Sequence, residues 1–416
     1  MKSSFSCCGP FVIMVTLLGL SVCISSTVVD ALSTNKLSYK AEWIHLDLEP
    51  HQRISPRRSG AVPIPTDPKG SRRYPLVFGG YAEVDNTSID SDNDSSSKQP
   101  FHRYVVNDLW EWKNNAWNKV ETANDDSSSD MPAPRLVGAA AVVNEAAYLF
   151  GGWNSDDPNN MFLDSIHKLK LDVSQEVALR WEELATRIPD GPVSRHVAVA
   201  LKSTNKKKNG KILVHTHRCQ DYVWLFDATT ETFTKQPTTG PCPSARGLHA
   251  ACSAPARGGG VIVFGGASQD GTMSNQVFRL DIETWEWQEL FAGGDSTSAS
   301  AAGKTCPTPR AGPCLCTVNG GDGVIMYGGA EAVDGGLKPH GDVWLFDLEN
   351  LEWTCLLPST AVGAPPPRNA AVLFGLPQGP GKEDEQGSIS DFLMAAGWAP
   401  FRETWDDTYI LRVSKN

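Results

Sequence analysis

No stretch of this 416-residue chain is apolar for long enough to cross a bilayer as a helix. The longest candidate, residues 11–24, runs about 14 residues where a span needs roughly 20. No long heptad pattern is present either, which argues against a helical bundle or coiled coil. Basic residues are outnumbered, 37 Lys and Arg against 48 Asp and Glu. The resulting net charge of −11 argues against nucleic acid or an anionic membrane as the main partner. Paired Cys-x-x-Cys units are missing, which argues against a structural zinc site. Also missing are a Gly-x-Ser-x-Gly elbow, a His-Glu-x-x-His pair and a phosphate-cradling glycine loop. These absences favour a protein that is not an enzyme and needs no cofactor.

What the chain has instead is 37 Gly, 28 Pro and 13 Trp, a composition suited to many short strands joined by tight turns. At the amino terminus Lys2 precedes the apolar run, and Val29 and Ala31 put small side chains at the −3 and −1 positions of a cleavage site. Residues 1–31 therefore read as a secretory signal peptide, and 32–416 as a single mature domain. Asn86 and Asn93 each begin a glycosylation sequon in a polar stretch, which suits a secreted or luminal protein. Seven cysteines remain after such cleavage, an odd number, so at least one is free or pairs between chains. Cys314 and Cys316 lie two apart on a predicted strand and share a face, which prevents an easy bridge between them.

The chain repeats itself. Its clearest unit starts at Arg246 and continues through a buried run, Val261, Ile262, Val263 and Phe264, into Gly265 and Gly266. A middle strand around Phe278 and a tryptophan-led strand at Trp285 and Trp287 complete it. Units of the same order start at Arg58, Arg135, Arg195, Arg310 and Arg368. From Arg58 to Arg368 the average period is 62 residues. In the third unit His215 and Thr216 stand where the glycine doublet is expected, and Phe233 replaces the tryptophan.

An apolar strand ending in Gly-Gly, a middle strand and a spaced aromatic resemble the kelch repeat. That resemblance covers essentially all of 32–416 and implies an all-β, six-bladed β-propeller of four-stranded blades. The sixth unit stops after Leu411 without an outer strand, while Trp43 heads an orphan strand at the other end. Trp43 precedes Arg58 by 15 residues, as Trp353 precedes Arg368, so the strand 41–47 is expected to complete the last blade. Pairing the two chain ends removes an open sheet edge.

Long inserts at 81–103, 153–163 and 330–341, with connections at 121–132 and 291–307, fall on one face of such a ring. Loops on a rigid scaffold are where binding is expected. Asp85, Asp90, Asp92 and Asp94 in the first insert lack the spacing of a calcium-binding hand. The resemblance implies a ring of arginines at the channel mouth, because kelch domains that capture acidic peptides use arginines at such positions. Arg58, Arg135, Arg195, Arg246, Arg310 and Arg368 are the candidate ligand-binding set, with structural hydrogen bonding between blades as the competing role. A second resemblance, to plant specifier proteins that hold iron through Glu-x-x-x-Asp-x-x-x-His, points to Glu331, Asp334 and His340. The spacings here are three and six instead of four and four. His215, His217 and Cys219 form another metal-like cluster, which a degenerate repeat explains without a metal. The expected function is thus a secreted or luminal binding module for a protein or peptide ligand of acidic character. A metal-dependent lyase, isomerase or specifier-like enzyme with iron at Glu331, Asp334 and His340 is the alternative.

Overall fold

The structure is a computed structural model that describes residues 14–17, 20–23, 38–65, 74–85, 101–124, 130–171, 178–202, 210–254, 259–294, 306–377 and 389–415. The expected cleavage site at Ala31 and both sequons, Asn86 and Asn93, lie outside these residues. Met14–Leu17 and Leu20–Cys23 pair as a separate two-stranded sheet. Among the described residues no helix is long and apolar enough to cross a membrane.

Six antiparallel blades account for nearly all the remaining strands. The fourth shows the pattern: Ala250–Ser253, Gly260–Phe264, Val277–Asp281 and Trp287–Phe291 pair in chain order from the axis outwards. Second strands are buried at almost every position, as in Gly260–Phe264 and Gly323–Tyr327. Continuous apolar runs are needed there because neighbouring blades cover both faces. Outer strands are largely exposed, and Thr232–Pro237 has no buried residue.

The last blade is built from both chain ends. Tyr39–Leu46 pairs antiparallel with Thr408–Lys415, setting Trp43 opposite Leu411. The inner positions of that blade are Val372–Gly375 and Ile389–Ala395.

One contact between blades recurs around the ring. In five blades the outer-strand aromatic lies against the residue just before the first glycine position in the second strand of the blade before it. Trp181 meets Phe78 at 5.2 Å between ring centroids, Phe233 meets Phe150 at 6.3 Å, and Trp353 meets Phe264 at 5.2 Å. Trp43 meets Tyr327 at 5.1 Å, and Trp287 meets His215 at 5.7 Å. Edge-to-face aromatic pairs of this kind contribute about 0.5–1.5 kcal/mol beyond the area they bury. His215 therefore takes the aromatic position and not a glycine position. Thr216 is the residue that stands at the first glycine position of the third blade, one place later than expected from the repeat pattern.

Two inserts hold more structure than loops would. The first blade continues as a hairpin, Leu76–Asp85 against Phe101–Lys113, beyond the sheet proper. Its innermost strand is divided into Arg57–Ser59 and Val62–Ile64, parted at Gly60, where φ is 62°. In the fifth blade Ala330–Val333 and Gly336–Pro339 form a two-stranded hairpin.

Candidate interaction face

The strand-leading arginines have one repeated geometry in five blades. Each Nε donates to the carbonyl two residues earlier: Arg58 to Pro56, Arg135 to Ala133, Arg246 to Ser244, Arg310 to Thr308 and Arg368 to Pro366. Each Nη1 donates to the carbonyl at the first glycine position, in turn Gly79, Gly151, Gly265, Gly328 and Ala396. Nη2 then meets a side chain at the head of the third strand. That partner is a carboxylate in three blades, Asp108 at 2.9 Å, Asp342 at 3.1 Å and Asp407 at 2.9 Å. In the other two it is neutral, Ser165 for Arg135 and Gln276 for Arg246.

These five side chains are between 0% and 3% exposed. Their forks fasten the start of the first strand to the turn after the second, and they do not form an open ring facing a ligand. Of the six candidate arginines, Arg58, Arg135, Arg246, Arg310 and Arg368 are placed in the competing role, as buried donors satisfied within the blades by carbonyls, carboxylates, Ser165 and Gln276. Burial pushes Arg135 down to about 9, and lowers Arg246 as well. Arg368 lies above its ordinary value despite burial, because Asp407 holds its charge.

The sixth arginine differs. Gly152 donates its backbone N–H to Val193, as Gly80 does to Arg135, Gly266 to Arg310 and Gly329 to Arg368. Val193, not Arg195, occupies the arginine position of the third blade. Arg195 stands two residues later, where every other blade has a small or apolar residue with positive φ: Gly60, Val137, Leu248, Gly312 and Ala370. These six positions are joined by backbone hydrogen bonds in a closed circuit. Gly60 donates to Ala370, Val137 to Gly60, Arg195 to Val137, Leu248 to Arg195, Gly312 to Leu248 and Ala370 to Gly312, all within 2.8–3.2 Å. The circuit encircles the axis, so Arg195 sits at the channel mouth.

Arg195 is exposed and has no ion pair among the described residues. Its guanidinium lies 5.7 Å from the Trp153 ring, which itself stacks with the half-exposed Phe162 at 6.4 Å and 16°. Beside it the third blade has rearranged. With no arginine to hold, the third strand begins at Tyr222 in place of Asp, and Asp190 accepts from both Tyr222 Oη and Trp224 Nε1 at 2.7 Å.

The other candidate residues are placed as follows. Glu331 faces His340 at 3.3 Å and also takes Lys338 at 3.0 Å, whereas Asp334 lies exposed at the tip of the 330–339 hairpin. The trio is not brought together, and no group of three metal-ligating side chains is found among the described residues. His215 is buried against His249, with Nδ1 and Nε2 3.1 Å apart, while Cys219 turns to Thr216. All seven cysteines of residues 32–416 are free thiols, and Cys314 and Cys316 both reach towards the innermost strand of the sixth blade, at Ala371 and Leu373. A cluster not signalled in the sequence joins the first and sixth blades: buried Glu83 accepts from Arg57, Arg103 and Thr404, and Arg103 lies over Phe101 and Trp398. Phe401, beside it, is 75% exposed.

Comparison with known proteins agrees with this architecture. A model of the KLHDC2/KLHL20/DRC7 Kelch-repeats domain matches residues 207–376. Kelch domain-containing protein 2 of Bos taurus is 27% identical over 324 residues, which cover 71% of this chain and 68% of that protein. Acyl-CoA-binding domain-containing protein 4 of Arabidopsis thaliana is 26% identical over 269 residues, covering 63% of this chain and 36% of that protein. Host cell factor 1 of Homo sapiens is 26% identical over 267 residues, 59% of this chain and only 12% of that protein. The likeness to the last two is thus confined to part of their length. The chain folds as a six-bladed β-propeller and is similar to kelch-repeat domains over much of its length.

Proposed function

We propose that this propeller is a secreted or luminal module that captures a protein ligand of acidic character at the loop face, with Arg195 as its cationic anchor. The observation that carries the reading is the contrast among the arginines. Five are enclosed in the blades, and one stands exposed at the channel mouth with an aromatic wall behind it. A guanidinium offers a rigid donor fork to a carboxylate. Trp153 and Phe162 add the kind of amphipathic aromatic surface that protein interfaces use. The structured inserts of the first and fifth blades rise on the same face and give a ligand side walls.

Charge reversal tests the binding half of this reading. Arg195→Glu should leave folding intact, since the circuit uses only the backbone of that residue, and should abolish capture of acidic peptides. Capture by the unaltered protein should fall as salt rises, within the range where the screening length drops below about 10 Å. The localisation half rests on residues 1–31 and the sequons. Amino-terminal sequencing of the expressed protein should begin near Leu32, and a glycosidase should shift its mass through Asn86 or Asn93. A retained Met1 with no glycan would contradict it.

A further inference from the structure

We propose that a pocket in the fourth blade binds an oxyanion, a phosphate or sulfate group, in the place where three other blades carry a built-in carboxylate. In the first, fifth and sixth blades Asp108, Asp342 and Asp407 neutralise the buried arginine. In the fourth, the corresponding residue is the neutral Gln276, which accepts from Arg246 Nη2 at 2.8 Å. Gln276 is fixed in that orientation because its Nε2 donates to Glu289 at 2.8 Å. Nη1 of Arg246 reaches only the Gly265 carbonyl, at 3.1 Å, so the hydrogen that would meet a second carboxylate oxygen is uncommitted. A buried charge without a counter-ion is costly, and an anion bound beside it would be favoured for the same reason.

A way in is present at this position. Arg246 and Gln276 line a pocket of about 470 Å³, together with Ser244, Ser268, Thr272 and Ser274. Ser268 and Thr272 turn their hydroxyls to Asp270, and Ser274 donates to Gln276 Oε1 at 3.1 Å. The donors left for an anion are the Nη1 hydrogen of Arg246 and the Ser244 hydroxyl, which itself accepts from Arg246 Nη2 at 2.9 Å. The space is large enough for the group that carries such an anion as an ester. Two acidic side chains stand near. Glu289 is held by Gln276, and Asp270 is turned into its own loop, accepting from the Thr272 backbone at 2.9 Å. The site depends on the missing carboxylate of the fourth blade and is independent of Arg195.

Titration calorimetry with inorganic phosphate, sulfate and phenyl phosphate tests the site. The unaltered protein should bind all three saturably, and tighter binding of phenyl phosphate would identify an ester as the natural source, against the free ion. Gln276→Asp restores the internal counter-ion of the other blades, so it should melt no lower than the unaltered protein and bind each anion at least about tenfold more weakly. Asp270→Asn, an exposed change that keeps the turn, should tighten binding by about threefold at low salt. Absence of saturable binding, or equal affinity in the unaltered protein, Gln276→Asp and Asp270→Asn, would overturn the proposal. If Gln276→Asp fails to fold, the Asp270→Asn result decides alone.

Discussion

Gly152 donates its backbone N–H to the carbonyl of Val193 at 2.9 Å, in the place where Gly80 meets Arg135 at 2.8 Å. That one bond fixes the register of the third blade. It puts valine in the position of the structural arginine and moves Arg195 to the axis. A slip of two residues in one repeat thus exposes a guanidinium that the other five repeats enclose.

The enclosed forks should matter for stability. Asp342→Asn leaves Arg310 buried with a neutral partner and should destabilise the propeller by about 3–5 kcal/mol, the usual effect of removing one member of a buried ion pair. Urea denaturation monitored by tryptophan fluorescence measures it. A change below about 1 kcal/mol would mean that the carbonyl contacts alone hold the arginine.

Gly79→Ala should be similarly damaging. Its φ is 63°, and an added Cβ would lie 2.5 Å from the Arg135 carbonyl of the next blade. Strain and the blade shift together should cost at least about 2 kcal/mol. Gly271→Ala, at a loop glycine of positive φ with open space around it, is the control and should cost less.

Acidification should loosen the junction of the second, third and fourth blades. Burial lowers His196 to about 3 and His215 to about 4, and it holds His249 well below its ordinary 6.5. Neighbouring His217 and Arg246 push the same way. The folded values are depressed, so the unfolded chain takes up protons first. Stability is fully present above about pH 6.5 and is lost as pH falls towards the folded values, by about 2 kcal/mol per histidine at pH 5. Melting temperatures at pH 7.5, 6 and 5 should show this slope. His215→Phe, which installs the aromatic used in other blades, should make it shallower. Asp342 acts in a lower window: against burial, Arg310 holds it below 3.8, so its contribution persists until the pH falls through that depressed value.

Removal of the strand Tyr39–Leu46 should open the ring. Its partner Thr408–Lys415 would become an unpaired edge, and Trp43 would leave the groove beside Tyr327. A chain starting at residue 47 should aggregate or melt well below the longer form. An unchanged melting curve would show that closure does not depend on this strand.

The fold was legible because propeller blades write it locally. Runs such as Val261 to Phe264 must be apolar throughout, glycines must follow them, and an aromatic must return about twenty residues later. The orphan Trp43 strand was legible for the same reason, by its distance to Arg58. The site was legible only in part. An arginine followed by small residues looks alike whether it lies in the blade or at the axis, and two residues separate the cases in the third repeat. Asp221, one place before the expected carboxylate position at Tyr222, was the available sign that this blade had shifted. Trp153 and Phe162 went unnoticed because they belong to an insert, where no periodicity marks a side chain that meets another. The missing carboxylate at Gln276 becomes meaningful only once the fork of Arg246 and the pocket beside it are seen together.

The most direct test of the account is selection of a displayed random peptide library on the unaltered protein and on Arg195→Glu. The unaltered protein should enrich peptides rich in Asp and Glu, these should lose at least about tenfold in affinity on Arg195→Glu, and added salt should weaken them. Arg195→Glu should melt at the same temperature as the unaltered protein. Peptides with no acidic bias, or acidic peptides bound equally well by Arg195→Glu, would contradict it.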